Sequence, residues 1–510
     1  MIDQNPIYDA LVIGSGLGGL VSAVILAKEG KRVCVIEKNN QFGGNLQTFS
    51  REKKIFDTGV HYLGGLSKGQ NLYRYFSYLG IISELDLEIM PEVFDKVYFE
   101  HTDTSYPIAQ GYDAFIRHLC AYFPNQAEAL EQYVKDLQST CAAFPLYNLQ
   151  VHEGYEKQVM QRGVKEYFAQ LTNDPVLRAV LIGTNFLYAG SGEDTPFYVH
   201  ALTVNSYLQS AYRCNKGGSQ IAKLLIKELR KHGGHAVKRE EVTAMQVNNG
   251  RVESIMTKQG NRYYADMFIS NLDPRVSIAM AGETHFRSSF VKRIQNLEVT
   301  TSAFSLHVVL QPQTLKYIDY NLYGHSDTDS VWTASSYESK DWPAMFMVSM
   351  TEDPSHQGYA DTLTILTYMH FDEVKVWQHS HRTVVQQDDR GSGYKRFKQL
   401  KAQILLDVVS GALPGLNDAV RNTYVSTPLS YRDYIGMYQG NLYGHRKLAD
   451  APLKTYISPS TKIDNLFFTG HAIAMHGVLG VTIGAVATCG EILGKSYLFE
   501  KIRRETDVTI

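Results

Sequence analysis

The run Tyr8-Asp-Ala-Leu-Val-Ile-Gly-Ser-Gly-Leu-Gly-Gly-Leu20 constrains this chain more than any other feature. Ala10 to Ile13 reads as a short buried strand, and Gly14, Gly16 and Gly19 form GxGxxG. Val21 to Glu29 reads as a helix, and Lys31 to Glu37 as a second strand ending in an acid. Together these make one βαβ unit. The first glycine permits the tight turn and the second lets backbone approach a pyrophosphate. The third lets helix and strand pack closely. Unpaired N–H groups at the helix start, with its positive dipole end, suit phosphates. Glu37 lies 23 residues after Gly14, where an acid can accept hydrogen bonds from an adenosine ribose. Gly14, Ser15, Gly16, Leu17, Gly18, Gly19 and Glu37 are therefore the expected dinucleotide-binding residues.

The stretch after the acid narrows the dinucleotide. Lys38-Asn-Asn-Gln-Phe-Gly-Gly-Asn-Leu-Gln-Thr48 places a Gly-Gly pair after a short loop. This pattern resembles the glutathione-reductase-like FAD superfamily, in which the loop passes close to the cofactor. The resemblance implies FAD rather than NAD and adds Lys38, Gly43, Gly44 and Asn45 to the binding set.

The chain is long enough for two or three domains. Its formal net charge of −2 gives no bulk field that favours nucleic acid. Five scattered cysteines without a CxxC pair argue for a reducing compartment and no disulfide framework. The polar N-terminus running straight into a strand leaves no room for a signal peptide, and no uncharged apolar run reaches the ~18 residues of a spanning helix. The expected location is cytoplasmic, with the inner face of a membrane as a candidate contact. Tyrosine is abundant, at 33 residues, which suits a core, a large apolar pocket or a membrane-facing surface.

Two later segments repeat the nucleotide-binding signal. From Lys216-Gly-Gly, the apolar stripe Ile221, Leu224, Leu225 and Leu229 predicts a helix ended by Gly233-Gly234. His235 to Val242 then reads as a strand, Val247 to Val252 as a hairpin with an Asn-Gly turn, and Arg262 to Ile269 as a further strand. In the FAD superfamily a valine here lays its backbone against adenine, which implies Val242. The third segment is Asp464 to Gly480: a strand Leu466 to Phe468, then Thr469-Gly470, then a small-residue helix from Gly477. In the superfamily that glycine, here Gly470, backs the ribityl and pyrophosphate. The helix N-terminus, with Leu479 and Gly480, faces the N1 and C2 edge of the flavin, where its dipole stabilises reduced flavin. The expected fold is α/β with an α+β substrate domain. It is a glutathione-reductase-like two-domain fold with a discontinuous Rossmann-type FAD domain (1–75, 206–274 and 456–510). An inserted substrate-binding, membrane-facing domain takes 76–205 and 275–455. The first insert reads mainly helical, over Asp113 to Cys120, Gln126 to Ala143, Val164 to Leu171 and Pro175 to Ile182.

With these segments placed, the chain resembles the carotenoid desaturase family, in the branch that contains carotenoid isomerases and retinol saturases. Phe56-Asp-Thr-Gly-Val-His-Tyr-Leu-Gly-Gly65 is similar to the family's Asp-x-Gly-x-His-Tyr-x-Gly, and to the retinol saturase form in particular. Asp353-Pro-Ser, Thr427-Pro through Gly440 to Tyr443-Gly444, and Asn465 to Gly494 carry the rest of the likeness. The resemblance implies FAD, a long apolar isoprenoid or polyene substrate and monotopic association with membranes. One departure is His471, where many relatives carry an acid.

Reducing a C=C bond needs hydride on one carbon and a proton on the other. His61 and Tyr62, on a loop expected to reach the flavin, are candidates for the proton donor or a flavin-edge contact; the competing reading of His61, and the stronger one on sequence, is a structural histidine bonded to backbone. His476, just before the C-terminal helix, is a third candidate, and Tyr434 and Tyr443 are candidates for the substrate tunnel. His379-Ser-His381 with His370 lacks a paired carboxylate motif, so no metal site is expected. No second GxGxxG is present, which leaves the electron source open between NAD(P)H and a redox partner. Four readings compete: saturation of a C=C bond, desaturation of a carotenoid precursor such as phytoene, redox-neutral cis–trans isomerisation, and a prenyl-binding escort protein with no chemistry. The intact glycines disfavour the last. An amine oxidase is a further reading on fold alone.

Overall fold

A computed structural model describes residues 8–150, 157–190, 192, 194–473 and 475–506. The chain ends (1–7 and 507–510) and Ala474, within the third nucleotide-binding segment, lie outside the described residues.

The strand Tyr8–Ile13 sits in the middle of a seven-stranded sheet, parallel to Val33–Glu37 on one side and to Arg262–Ser270 on the other. Its last four residues are buried, as expected for a parallel strand covered on both faces. His235–Lys238 extends the sheet beyond Val33–Glu37, and Leu466–Phe468 pairs in parallel with Arg262–Ser270. Three separated stretches of chain thus meet in one sheet. The helix Leu17–Lys28 begins four residues earlier than the sequence predicts, because Gly18 and Gly19 lie inside it. A Cβ on Gly19 would stand 2.2 Å from the Gly14 carbonyl oxygen, so helix and strand approach only because the residue is glycine. This helix packs against the helices Ser219–Lys231 and Gly477–Leu493.

One predicted element divides. His235 to Val242 is not a single strand: it stops at Lys238, Arg239 takes φ +63°, and the Glu240 N–H donates to the Glu37 carbonyl at 2.9 Å. Val242 instead opens the antiparallel strand Val242–Asn248. That strand turns back through Asn249 and Gly250, both at positive φ, into Arg251–Thr257, as the Asn-Gly signal predicts.

The second sheet is also seven-stranded, in the order Val420–Ser426, Ser302–Leu310, Ala360–Met369, Met345–Glu352, Asn321–His325, Val93–Phe99, Thr104–Ala109. All nine residues of Ser302–Leu310 are buried. The first insert contributes more than helices: its strand Val93–Phe99 pairs in parallel with Asn321–His325 of the second insert. The helices Tyr112–Cys120, Ala127–Ala142, Val164–Leu171, Pro175–Ile182 and Phe197–Gln209 share a core with this sheet. A small sheet of Leu63–Gly64, Ala211–Cys214 and Leu87–Ile89 adjoins both parts. All five cysteines are free. Among the described residues no helix is long and apolar enough to cross a membrane.

Candidate active site

A cavity of about 500 Å³ starts at the C-terminal ends of the first sheet's parallel strands and continues to the second sheet. At its first end, Gly14 turns the chain at φ +90°, and its N–H donates to the Ile36 carbonyl at 2.8 Å. Ser15, Gly16, Leu17 and Gly18 line the wall, with Glu37, Lys38, Gly43, Gly44, Asn45 and Val242 around them. Gly19 lies behind this wall, packed on Gly14. The buried Glu37 carboxylate accepts from the Ser15 N–H and hydroxyl and, on its other oxygen, from the Asn39 N–H at 2.8 Å. The Gly43 N–H donates to the Ser15 carbonyl, drawing the Gly-Gly loop over the cradle.

Asn271 was missed by sequence reasoning; its only signal was its place directly after a strand. Its N–H donates to the Ile13 carbonyl at 2.9 Å. A Cβ on Gly16 would lie 2.7 Å from Asn271 Nδ2, and one on Gly470 would lie 2.7 Å from Asn271 Oδ1. A Cβ on Gly18 would lie 2.9 Å from the Gly470 backbone. Glycine is therefore required where the three segments converge. This cradle fits a dinucleotide: exposed backbone, a helix N-terminus and a ribose-side acid face one groove.

Further along, His476 holds the N-terminal cap position of the helix Gly477–Leu493 in an extended conformation without a side-chain capping bond, and Val478, Leu479 and Gly480 line the cavity. The Nε2 atoms of His471 and His476 are both buried and have no partner among the described residues. Burial, with the Lys447 charge nearby, holds His471 down to about 4 and His476 down to about 3. Both are neutral near pH 7, so neither supplies a cation. Lys447 is itself pushed down to about 8 by burial. The His476 ring lies 4.7 Å from that of Tyr443.

The loop with His61 and Tyr62 is fixed from below. Asp57 accepts from the Gly218 N–H at 2.7 Å, tying the loop to the start of the helix Ser219–Lys231. His61 lines the cavity; burial holds it down to about 4, so it is a neutral imidazole near pH 7. Tyr62 also lines the cavity, and its hydroxyl stands 2.7 Å from Asp95 Oδ2 and 2.6 Å from Tyr323 Oη. The other Asp95 oxygen accepts from Asn321 Nδ2 at 2.9 Å. Asp95, Asn321 and Tyr323 come from paired strands of the second sheet, in register Asn321 with Asp95. No sequence signal singled them out. The second half of the cavity is walled by Phe144, Phe186, Leu202, Ala303, Met347 and Leu366; Tyr443 and Tyr434 also line the cavity, the Tyr434 carbonyl accepting from Asn39 Nδ2 at 2.8 Å. His381 lies 3.3 Å from Asp433, whereas His370 Nε2 bonds the Ser335 carbonyl. Among the described residues no three His, Cys, Asp or Glu side chains converge on a common metal position.

Residues 12–79 match the NAD(P)-binding Rossmann-like domain family. Over nearly the whole chain the protein is similar to all-trans-retinol 13,14-reductase of Rattus norvegicus, at 27% identity, covering 96% of this chain and 86% of the relative. The Danio rerio enzyme of that name is 25% identical, covering 95% and 86%. Prolycopene isomerase of Daucus carota is 23% identical, covering 97% and 81%. The similarity to both the retinol reductases and the prolycopene isomerase runs over nearly the whole chain. Among solved structures, putrescine oxidase bound to putrescine shares the fold at TM-score 0.64 and 14% identity, over 96% of this chain and 99% of that one. A Rab GDI from Plasmodium falciparum shares it at TM-score 0.51 and 10% identity, over 96% and 99%.

The runs that resemble the family divide into cavity wall and scaffold. His61, Tyr62, Tyr434, Tyr443 and Gly470 meet the cavity. Asp353 instead shapes a turn, accepting from the Ser355 N–H at 2.8 Å and meeting His356 Nδ1 at 2.9 Å. Thr427 closes a capping box with Ser430 and bonds Tyr394 Oη.

Proposed function

We propose that this protein is an FAD-dependent oxidoreductase that saturates a C=C bond of an apolar isoprenoid, in the manner named for its all-trans-retinol 13,14-reductase relatives. One observation carries the reading: a single cavity joins the glycine cradle to an apolar, aromatic-walled chamber, with Tyr62 and Tyr323, whose hydroxyls are paired at 2.6 Å, among its lining residues. Such a chamber suits a long hydrocarbon, and few polar groups reach into it.

The dinucleotide is assigned as FAD, held by Gly14 to Gly18, Glu37, Lys38, Gly43 to Asn45, Val242, Gly470, Leu479 and Gly480. Bound there, it would supply hydride and accept electron pairs. The N-terminus of the helix Gly477–Leu493, which lines the cavity, would offer unpaired N–H groups to negative charge on the bound group. Tyr62 is the proton donor; His61 and His476, both neutral, orient ligand groups by hydrogen bonding. In this reading 1–75, 206–274 and 456–510 form the FAD domain, and 76–205 with 275–455 form the substrate domain. Electrons come from NAD(P)H or a redox partner.

The substrate's low solubility calls for access from lipid. The exposed Val376, Val384 and Val385 flank Arg382, whose N–H bonds Asp433 beside the cavity residue Tyr434. This edge is the assigned membrane face.

The test is anaerobic incubation of flavin-loaded protein with all-trans-retinol and, separately, with phytoene. Reoxidation of dithionite-reduced flavin with a dihydro product from retinol supports saturation. Bleaching of oxidised flavin by phytoene would replace saturation with desaturation. A cis–trans change without net flavin oxidation would replace it with isomerisation.

A further inference from the structure

We propose that Asp95 is the proton store of this site: a buried carboxyl whose protonation frees one hydroxyl hydrogen of the Tyr62–Tyr323 pair for the substrate and then replaces it. The proposal rests on the reading of the site as a C=C reductase.

The argument is a count of hydrogens. Tyr62 Oη makes two short contacts, 2.7 Å to Asp95 Oδ2 and 2.6 Å to Tyr323 Oη. Each contact consumes one hydrogen. With Asp95 ionised the trio holds two hydrogens, one from each tyrosine, and both are consumed: Tyr62 donates to the carboxylate and Tyr323 donates to Tyr62. None is left for the cavity. With Asp95 protonated the trio holds three, and one hydroxyl hydrogen is surplus. Tyr62 and Tyr323 are both lining residues of the cavity, and the surplus hydrogen is assigned to the chamber.

The surroundings decide where the extra proton sits. Asp95 Oδ1 is engaged as an acceptor from Asn321 Nδ2 at 2.9 Å, which leaves Oδ2, the oxygen facing Tyr62, to carry it. Asp95 is 1% exposed and has no ion-pair partner among the described residues. Tyr62 and Tyr207 face it from the loop and from the helix Phe197–Gln209, Tyr323 and Asn321 from the neighbouring strand, and the Arg213 charge from a distance. Burial pushes the carboxyl up to about 7, against the pull of Asn321, Tyr62 and Arg213. A buried acid in that range exchanges its proton near neutral pH.

In the step itself the C=C π bond breaks and two C–H bonds form. One takes a hydride, with its electron pair, from reduced flavin, and the other takes the tyrosine hydroxyl proton. The Asp95 proton then returns to the phenolate oxygen, and the carboxylate left behind is reprotonated from solvent. Asp95 touches no substrate; it acts through Tyr62.

The experiment is an anaerobic single turnover of dithionite-reduced enzyme with all-trans-retinol, read by flavin reoxidation between about pH 5.5 and 9. Wild type is expected to slow by roughly tenfold per pH unit above about pH 7. Asp95→Asn keeps both hydrogen bonds with an amide whose hydrogens cannot be transferred. With the amide donating to Tyr62 at every pH, one hydroxyl hydrogen is free throughout, so the variant should load flavin normally and lose the inflection near neutral pH, its single-turnover rate staying flat across the range. Tyr62→Phe should load flavin and be slow at every pH. An unchanged rate and an unchanged inflection in Asp95→Asn would overturn the proposal while leaving the reductase reading intact. Failure of loaded wild-type enzyme to react with retinol would remove that reading, and this inference with it.

Discussion

Ser15 donates both its backbone N–H, at 3.0 Å, and its hydroxyl, at 2.6 Å, to one oxygen of Glu37, a residue 22 positions away. The acid at the end of the second strand therefore holds the glycine turn through its own hydrogen bonds.

Glu37→Ala should accordingly weaken FAD binding beyond the loss of ribose contacts, because the turn loses its anchor as well. Charge-assisted hydrogen bonds of this kind contribute about 1.5–3 kcal/mol each. Titration of flavin-stripped protein with FAD should show at least a roughly tenfold rise in Kd. An unchanged Kd would remove Glu37 from the binding set.

Gly16→Val should abolish flavin binding while leaving the chain folded. Its branched side chain would enter both the groove and the space of Asn271, since even a Cβ at that position stands 2.7 Å from Asn271 Nδ2. The measurement is the flavin-to-protein absorbance ratio, with circular dichroism to confirm folding. Full occupancy would refute the cradle.

His61→Ala should retain FAD and slow turnover less than Tyr62→Phe. The imidazole is neutral near pH 7, with burial holding it down to about 4, and so carries no ring proton in excess to transfer. Equal losses in both variants would make His61 part of the proton path. Unchanged turnover would make it structural.

Acid should destabilise the fold well above the carboxylate range. His200 is fully buried between the Tyr133 hydroxyl at 2.7 Å and the Tyr188 hydroxyl at 2.8 Å, and burial holds it down to about 3. His307 and His325 are buried and held down as well. A folded-state pKa below the unfolded value means that stability is full above about pH 6.5. It is lost as pH falls from there toward the folded values. Urea midpoints should therefore fall steadily from about pH 7 to pH 5. His200→Gln should flatten part of that slope. A flat profile in wild type would contradict the buried neutral histidines.

Much of the nucleotide half was legible in the sequence because its constraints are local. A βαβ turn needs glycine where backbone meets backbone, and Gly14, Gly16 and Gly19 announce that need within six residues. The strand Leu466–Phe468, the helix from Gly477 and the Asn249-Gly250 hairpin were legible for the same reason. Val242 was reached by analogy, but its strand was misjudged, because the left-handed turn at Arg239 leaves no periodic mark.

The half built on the second sheet was not legible in this way. Asp95, Asn321 and Tyr323 carry no motif, and only the parallel pairing of Val93–Phe99 with Asn321–His325 brings them beneath Tyr62. Asn271 is a strand-end asparagine until three distant segments close on it. The sequence by itself determined the dinucleotide cradle, because steric and hydrogen-bond demands there act between near neighbours. The tertiary structure alone decided the polar trio and the chamber it serves, because strand pairing and burial act between residues hundreds of positions apart.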